Sequence, residues 1–471
     1  MAACRVKQEL GGLAQTMAGT QDASVAQWRR AAYGFGDFGF NLYWTTVSFF
    51  ILYFYTDVVG LSGTTAGLIF LLAMLWDGLT DPVMGYLAQR TRTRWGTYRP
   101  YFLFGAIPLA LSLVLLFHNP VLEGPALIAS VLLAHMLFRT AYTAVNVPYG
   151  ALSARITRST KVRNSLSAWR ISFATLGSAL VAYSTLRLVE QFGQGDASRG
   201  FLLTAVLYGC LSIPVFLTLF LTVREPPQPA TEANFASPRQ AFAGLLRNKP
   251  FLVMAGATVL ATLGGVLASK TLVYYFKYVL GDGTAVGTAF AASSITILLA
   301  APLWAFITTR TSKRFVWRAG ALISISASLL LYFNPFEVVP VVVGIAALAA
   351  VGSAAGHLTF WSALPDTVEY GEMRNRRRDE SVTFGVMGFI QKASYGLAAA
   401  LAGLLLDLIG YSANEVQDRS TLHSIKASMS LLPAGFIALA FLMIGRYRLD
   451  QVAHGRILSI IQRRASRATA T

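Results

Sequence analysis

Twelve apolar runs, each near the length that a membrane-crossing helix needs, constrain this chain more than any motif in it. They lie at about Ala31–Tyr55, Leu61–Ala88, Tyr101–Phe117, Pro125–Tyr149, Leu166–Leu188, Phe201–Val223, Phe251–Leu280, Ala285–Thr308, Val316–Phe333, Val338–Trp361, Val382–Leu408 and Ile425–Ile444. A helix crosses the hydrocarbon core in about 20 residues, so each run suffices for one span. Composition agrees, because 55% hydrophobic and only 13% charged residues leave too little polar side chain to coat a soluble protein of 471 residues. The expected class is an all-α integral membrane protein. Cys4 and Cys210 offer neither a disulfide framework nor metal-ligand spacing.

The formal charge of +17 is one-sided. With the amino terminus inside, the cytoplasmic segments hold 30 of the 39 Lys and Arg residues, clustered around Arg92, Arg158, Arg247, Arg314 and Arg377 and at both termini. The intervening connections near Asp57, His118, Asp282 and Glu337 are nearly free of them, as the positive-inside rule requires. The charge therefore sets topology and meets anionic lipid, with no nucleic-acid role. The first thirty residues lack a continuous apolar stretch, so no cleavable signal peptide is expected and both termini are placed in the cytoplasm.

The longest internal connection carries Pro226, Pro227, Pro229 and Pro238. It divides the chain into a cytoplasmic segment (1–30), a six-helix bundle (31–223), a linker (224–250), a second six-helix bundle (251–448) and a basic tail (449–471). Thr91-Arg92-Thr93 with Arg99 echoes Thr309-Arg310-Thr311 with Arg318, a trace of duplication. Two pseudo-symmetric six-helix bundles with a site between them near the midplane are the plan of the major facilitator fold.

Charged groups inside the spans mark the candidate site. Asp77 and Asp81 are four residues apart on one helix face, and insertion scales put a buried charge at roughly 2.5–3.5 kcal/mol, so the pair reads as a site for Na+ or H+. Lys392 lies among Gly385, Gly388 and Gly396, on a face that lets another helix come close. Asp37, Asn41, Thr45 and Ser48 form one polar stripe, and His135, Arg139, Thr143 and Asn146 another. Lys270 either faces the cavity or snorkels to the outer end of its span.

Several of these residues belong to longer motifs: YGFGDFG at 33–39, the stretch Trp76–Pro100, NVPY at 146–149, Arg163 with Arg170, PDTVEYGE at 365–372, and Glu380 with Lys392. Together they resemble the glycoside–pentoside–hexuronide:cation symporter family of the major facilitator superfamily. The resemblance implies a symporter that imports a sugar, glycoside or hexuronide by alternating access. Asp77 and Asp81 match its cation-site acids, Lys392 its coupling lysine, and Arg170 an arginine of its sugar site. Substrate contacts are expected from Asn41, Arg139, Thr143, Asn146, Arg170, Asp37 and Lys270. Asp366, Glu369 and Glu372 are expected to meet Arg163 in a cytoplasmic gate. No cofactor is expected beyond the coupling cation. The partners are a small-molecule substrate and membrane lipid, with a monomer in the bacterial inner membrane.

Two departures bear on the substrate. Asn41 and Asn146 stand where disaccharide carriers of the family have carboxylates, and Gly150 stands where they have an aromatic residue. Losing two acids while gaining Arg139 and Lys270 favours an anionic sugar, because guanidinium holds carboxylate or sulfonate oxygens in pairs. The alternative is a carrier of a lysolipid-like amphiphile, as in an animal branch resembling the family. No Asp-x-Asp run, His-rich loop or phosphate-cradling glycine loop supports an enzyme.

Overall fold

The computed structural model describes residues 26–156, 160–223, 225, 238–375, 380–449 and 451–468. The first half comprises α1 (Gln27–Tyr53), α2 (Gly63–Arg90), α3 (Arg99–Leu116), α4 (Gly124–Ile156), α5 (Thr160–Gly193) and α6 (Ala197–Thr222). A short α7 (Pro238–Leu246) precedes the second half: α8 (Lys249–Tyr274), α9 (Val286–Arg310), α10 (Lys313–Phe333), α11 (Val339–Asn375), α12 (Glu380–Leu408) and α13 (Arg419–Ile444). The carboxy-terminal α14 spans Gln451–Ala468, so the basic tail is a helix. The linker holds α7 and the start of α8.

Eleven of these helices are long and apolar enough to cross a membrane. The exception among the twelve expected spans is α1, whose first turns carry Arg29, Arg30, Asp37 and Asn41. At 27 residues it is still about 40 Å long, and it packs against α5 and α6 as a member of the first bundle. Side-chain caps start several helices: Ser62, Asp196, Asn248, Ser312 and Asp418 each accept a backbone N–H from the first turn. Glu225 accepts from the N–H groups of Thr97, Tyr98 and Arg99 at 2.7–3.0 Å, and Arg99 donates to the Phe220 carbonyl, so α3 is tied to the end of α6.

The halves meet where α2 packs on α12, α5 on α9 and α1 on α8. Glycine makes the first contact possible: a Cβ on Gly403 would lie 1.9 Å from the Gly63 carbonyl oxygen. The Asp407 carboxylate also reaches across to the N–H groups of Gly63 and Thr64, both at 2.8 Å, and caps α2 from the opposite half. This close seam carries Lys392 of α12 to the acids of α2.

Candidate transport site

On α2, Asp77 and Asp81 face the seam one turn apart. Asp77 is 1% exposed. The Lys392 ammonium lies 2.9 Å from Asp77 Oδ2 and also bonds Asp81 Oδ2. From α4, the Thr143 hydroxyl is 2.6 Å from Asp77 Oδ1 and 3.0 Å from Asp81 Oδ1. Two carboxylates against one lysine leave one negative charge, and Thr143 adds a neutral oxygen. Pro82, inside α2, has no N–H to offer the Gly78 carbonyl, which leaves another oxygen beside the pair. Thr143, expected among the substrate contacts, is thus joined to the acids.

A second group is basic. Arg139 is 1% exposed, and its Nε and one terminal nitrogen have no hydrogen-bond partner among the described residues. Its guanidinium lies over Trp44 at 5.3 Å, Phe70 at 5.7 Å and Phe138 at 5.8 Å. Lys270 does not snorkel away. It is 2% exposed, donates to the Ser48 carbonyl of the other half, and sits 4.5 Å from the Phe70 ring centre. His135 meets the same ring edge-on at 5.6 Å; its Nδ1 pairs with the Tyr55 hydroxyl and its Nε2 has no partner among the described residues. Three basic side chains therefore surround one phenyl ring, with the Arg139 and Lys270 cations near it at 5.7 and 4.5 Å from the ring centre.

Arg170 and Asp37 answer each other. The guanidinium holds the carboxylate through Nε at 2.6 Å and a terminal nitrogen at 3.2 Å, and the Tyr149 hydroxyl adds a bond of 2.5 Å to the same acid. Both were expected to contact substrate, and the structure engages each with the other. Asn41 donates to the Asp37 carbonyl and accepts from Thr45, while the half-buried Asn146 amide makes no side-chain hydrogen bond among the described residues.

Of the acids expected at the gate, Asp366 pairs with Lys313 of the second half at 2.7 Å, and Glu369 bonds His454 of the tail helix α14. Glu372 lies on the same helix, and the side chain of Arg163 lies outside the described residues. Two aromatic residues were missed: Trp44 of α1, under Arg139, and Tyr395 of α12, which meets it edge-on at 5.9 Å across the halves. Lost at Gly150, an aromatic surface returns from another helix. Only the spacing of three from Asn41 to Trp44 pointed there.

Two helical halves that hold a lysine of one between buried Asp77 and part-exposed Asp81 of the other, in eleven helices of membrane-crossing length, have the frame of an integral membrane transport protein. The chain belongs to the family described as MFS/sugar transport protein, which matches residues 32–451. Among its relatives, the isoprimeverose transporter of Lactiplantibacillus pentosus is 29% identical, covering 95% of each chain. The glucuronide carrier protein homolog of Escherichia coli K12 is 27% identical over 93% of this chain and 96% of its own. The fold is shared with a bacterial homolog of the human lysosomal transporter Spinster (TM-score 0.68, 14% identity, 93% of this chain and 98% of that one). It is shared too with the nucleoside transporter NupG (TM-score 0.62, 14% identity, 90% and 99%).

Proposed function

We propose that the protein is a cation-coupled symporter that imports an acidic sugar or glycoside by alternating access, with both termini in the cytoplasm. Na+ or H+ is held by Asp77, Asp81 and Thr143. Lys392 occupies the acids when the cation is absent and is displaced when it binds, so the cation alters a contact between the halves. The substrate's acid group is taken by Arg139 and Lys270, and its hydroxyls by Asn146.

The observation that carries this reading is Arg139. A fully buried guanidinium without a hydrogen-bonded anion is costly, and a carboxylate or sulfonate from the substrate supplies the missing partner in a paired geometry. Asn41 and Asn146 in place of acids keep hydroxyl recognition while removing repulsion. The glucuronide carrier homolog among the relatives fits the same charge sign, and the isoprimeverose transporter fits a glycoside frame. The test is competition uptake into proteoliposomes with matched neutral and acidic glycosides, in the wild type and in Arg139→Gln. Preference for the acidic member should be lost in the variant. Preference for the neutral member, unaffected by the substitution, would overturn the acidic reading.

A further inference from the structure

Both α1 and α8 end in a widened turn. Phe54–Val58 and Tyr275–Val279 are π-helical, each closing with an N–H from five residues on: Val59 to Phe54 at 3.0 Å and Leu280 to Tyr275 at 3.1 Å. Each is followed by a glycine with positive φ, Gly60 at 81° and Gly281 at 71°. The two segments occupy equivalent places in the two halves, and YFYTDVVG at 53–60 matches YYFKYVLG at 274–281 in its outline. Widened turns of this kind are rare and concentrate at functional positions.

Here they bring one acid of the first half into the second. Asp57 Oδ1 accepts from Lys277 Nζ and from the Tyr278 hydroxyl, both at 2.7 Å. Its Oδ2 accepts from the Thr56 hydroxyl at 2.7 Å and the Tyr411 hydroxyl at 2.8 Å. Three of these four donors come from the opposite half. Its backbone carbonyl accepts from Asn414 Nδ2 at 2.8 Å, and Thr56 joins the Tyr274 hydroxyl at 2.8 Å. The Lys277 ammonium is equally committed: Asp57, Tyr53 at 3.0 Å and Asn414 Oδ1 at 2.8 Å use its three protons.

We propose that Asp57, Lys277 and Tyr411 are the gate that closes the Asp57 end of the transport path, and that parting the halves there requires this cluster to break as a unit. Saturation distinguishes the cluster from a ligand site: four donors fill the carboxylate and three acceptors fill the ammonium, so neither has a position left for a ligand. Convergence explains cooperativity. Tyr278, Tyr411 and Lys277 are each anchored to the Asp57 carboxylate, so losing that one group releases three contacts of the opposite half together, while Asn414 keeps its bond to the backbone carbonyl. At the opposite end Asp366 pairs with Lys313 of its own half, and Glu369 with His454 of the tail helix.

The experiment measures distances between spin labels on the purified protein without substrate, after Cys4→Ser and Cys210→Ser. One label pair replaces Val121 and Val416, which are 103% and 102% exposed in the loops of the two halves at the Asp57 end. A second pair replaces Leu87 and Phe315, exposed at the arginine-rich end. The parent should show a short distance for the first pair. Asp57→Ala and Lys277→Met should each raise the open-to-closed ratio at the Asp57 end by about tenfold or more, and Tyr411→Phe by less. The second pair should shorten at the same time. A merely loosened fold would lengthen both pairs, and that result overturns the proposal. Asp57→Asn keeps the residue's shape and replaces the alanine variant if that protein does not fold. Unchanged distances in both the Asp57 and Lys277 variants also overturn it.

Discussion

Replacing Lys392 with alanine removes the one positive charge held between Asp77 and Asp81. At the 2.9 Å separation from Asp77, and with an effective dielectric of about 20, the direct attraction is about 6 kcal/mol before desolvation is counted. Asp81 is a third exposed, so water screens its share and it adds less. Breaking a buried pair by removing one partner generally costs about 3–5 kcal/mol, because the remaining charge has no compensation. A proton or Na+ entering between the acids recovers part of that cost. Recovery of 1.4 kcal/mol corresponds to about tenfold in affinity, so the variant should bind the coupling cation at least about tenfold more tightly. Release then becomes slower, and net transport should fall even though binding improves. Calorimetric titration of the purified protein with Na+, alongside proton uptake on acid titration, reads the affinity; counterflow in proteoliposomes reads turnover. Parent affinity combined with parent turnover would refute the reasoning and remove Lys392 from the cation site.

Asp37→Asn should cost about 1–3 kcal/mol in thermal-unfolding measurements, because the Arg170 guanidinium loses its paired carboxylate charge and one of its two acceptor oxygens, and Asp37→Asn with Arg170→Gln should recover part of the loss. A double variant as unstable as the sum of the single ones would show that the pair is not coupled. Tyr411, in the loop between α12 and α13, has its phenol pushed up from the ordinary 10.0 by burial first and by the Asp57 charge second. Its contribution to holding the Asp57 end closed is therefore fully present below pH about 10 and lost as alkali forces ionisation. The Val121–Val416 label distance should stay constant from neutral pH to about 10 and lengthen above it, less so in Tyr411→Phe.

Eleven of the expected spans were legible because each is a long apolar run. The α14 helix was hidden by its own composition: Arg456, Arg463, Arg464 and Arg467 read as a basic tail, whereas Ile457 and Ile461 join the hydrophobic cluster of the second half and the helix packs on α11. Asp77, Asp81 and Lys392 stood out because charges inside apolar runs are expensive. Their arrangement could not be read, since Lys392 and Asp81 are 311 residues apart and meet only through the glycine seam. The Arg170–Asp37 pair shows the same limit. Each was visible as a polar residue in a span, and helical spacing does not show that two such residues 133 apart neutralise each other. Thr143 was visible on the polar stripe of α4, but helical spacing does not show that this point of the stripe meets the acids of α2. Asp57 looked like an ordinary loop acid, because the widened turn that buries it is invisible in a hydropathy pattern.

Coupling to a cation at Asp77 and Asp81 is most directly tested by uptake of labelled glucuronide into proteoliposomes under an imposed Na+ or H+ gradient, comparing wild type with Asp77→Asn. The wild type should accumulate substrate above the equilibrium level with one of the two gradients. The variant has lost one of the two carboxylates and leaves Lys392 with Asp81 alone; it should fail to accumulate while still exchanging substrate at equal concentrations, because Arg139 and Asn146 are untouched. Full gradient-driven accumulation by the variant would contradict the account.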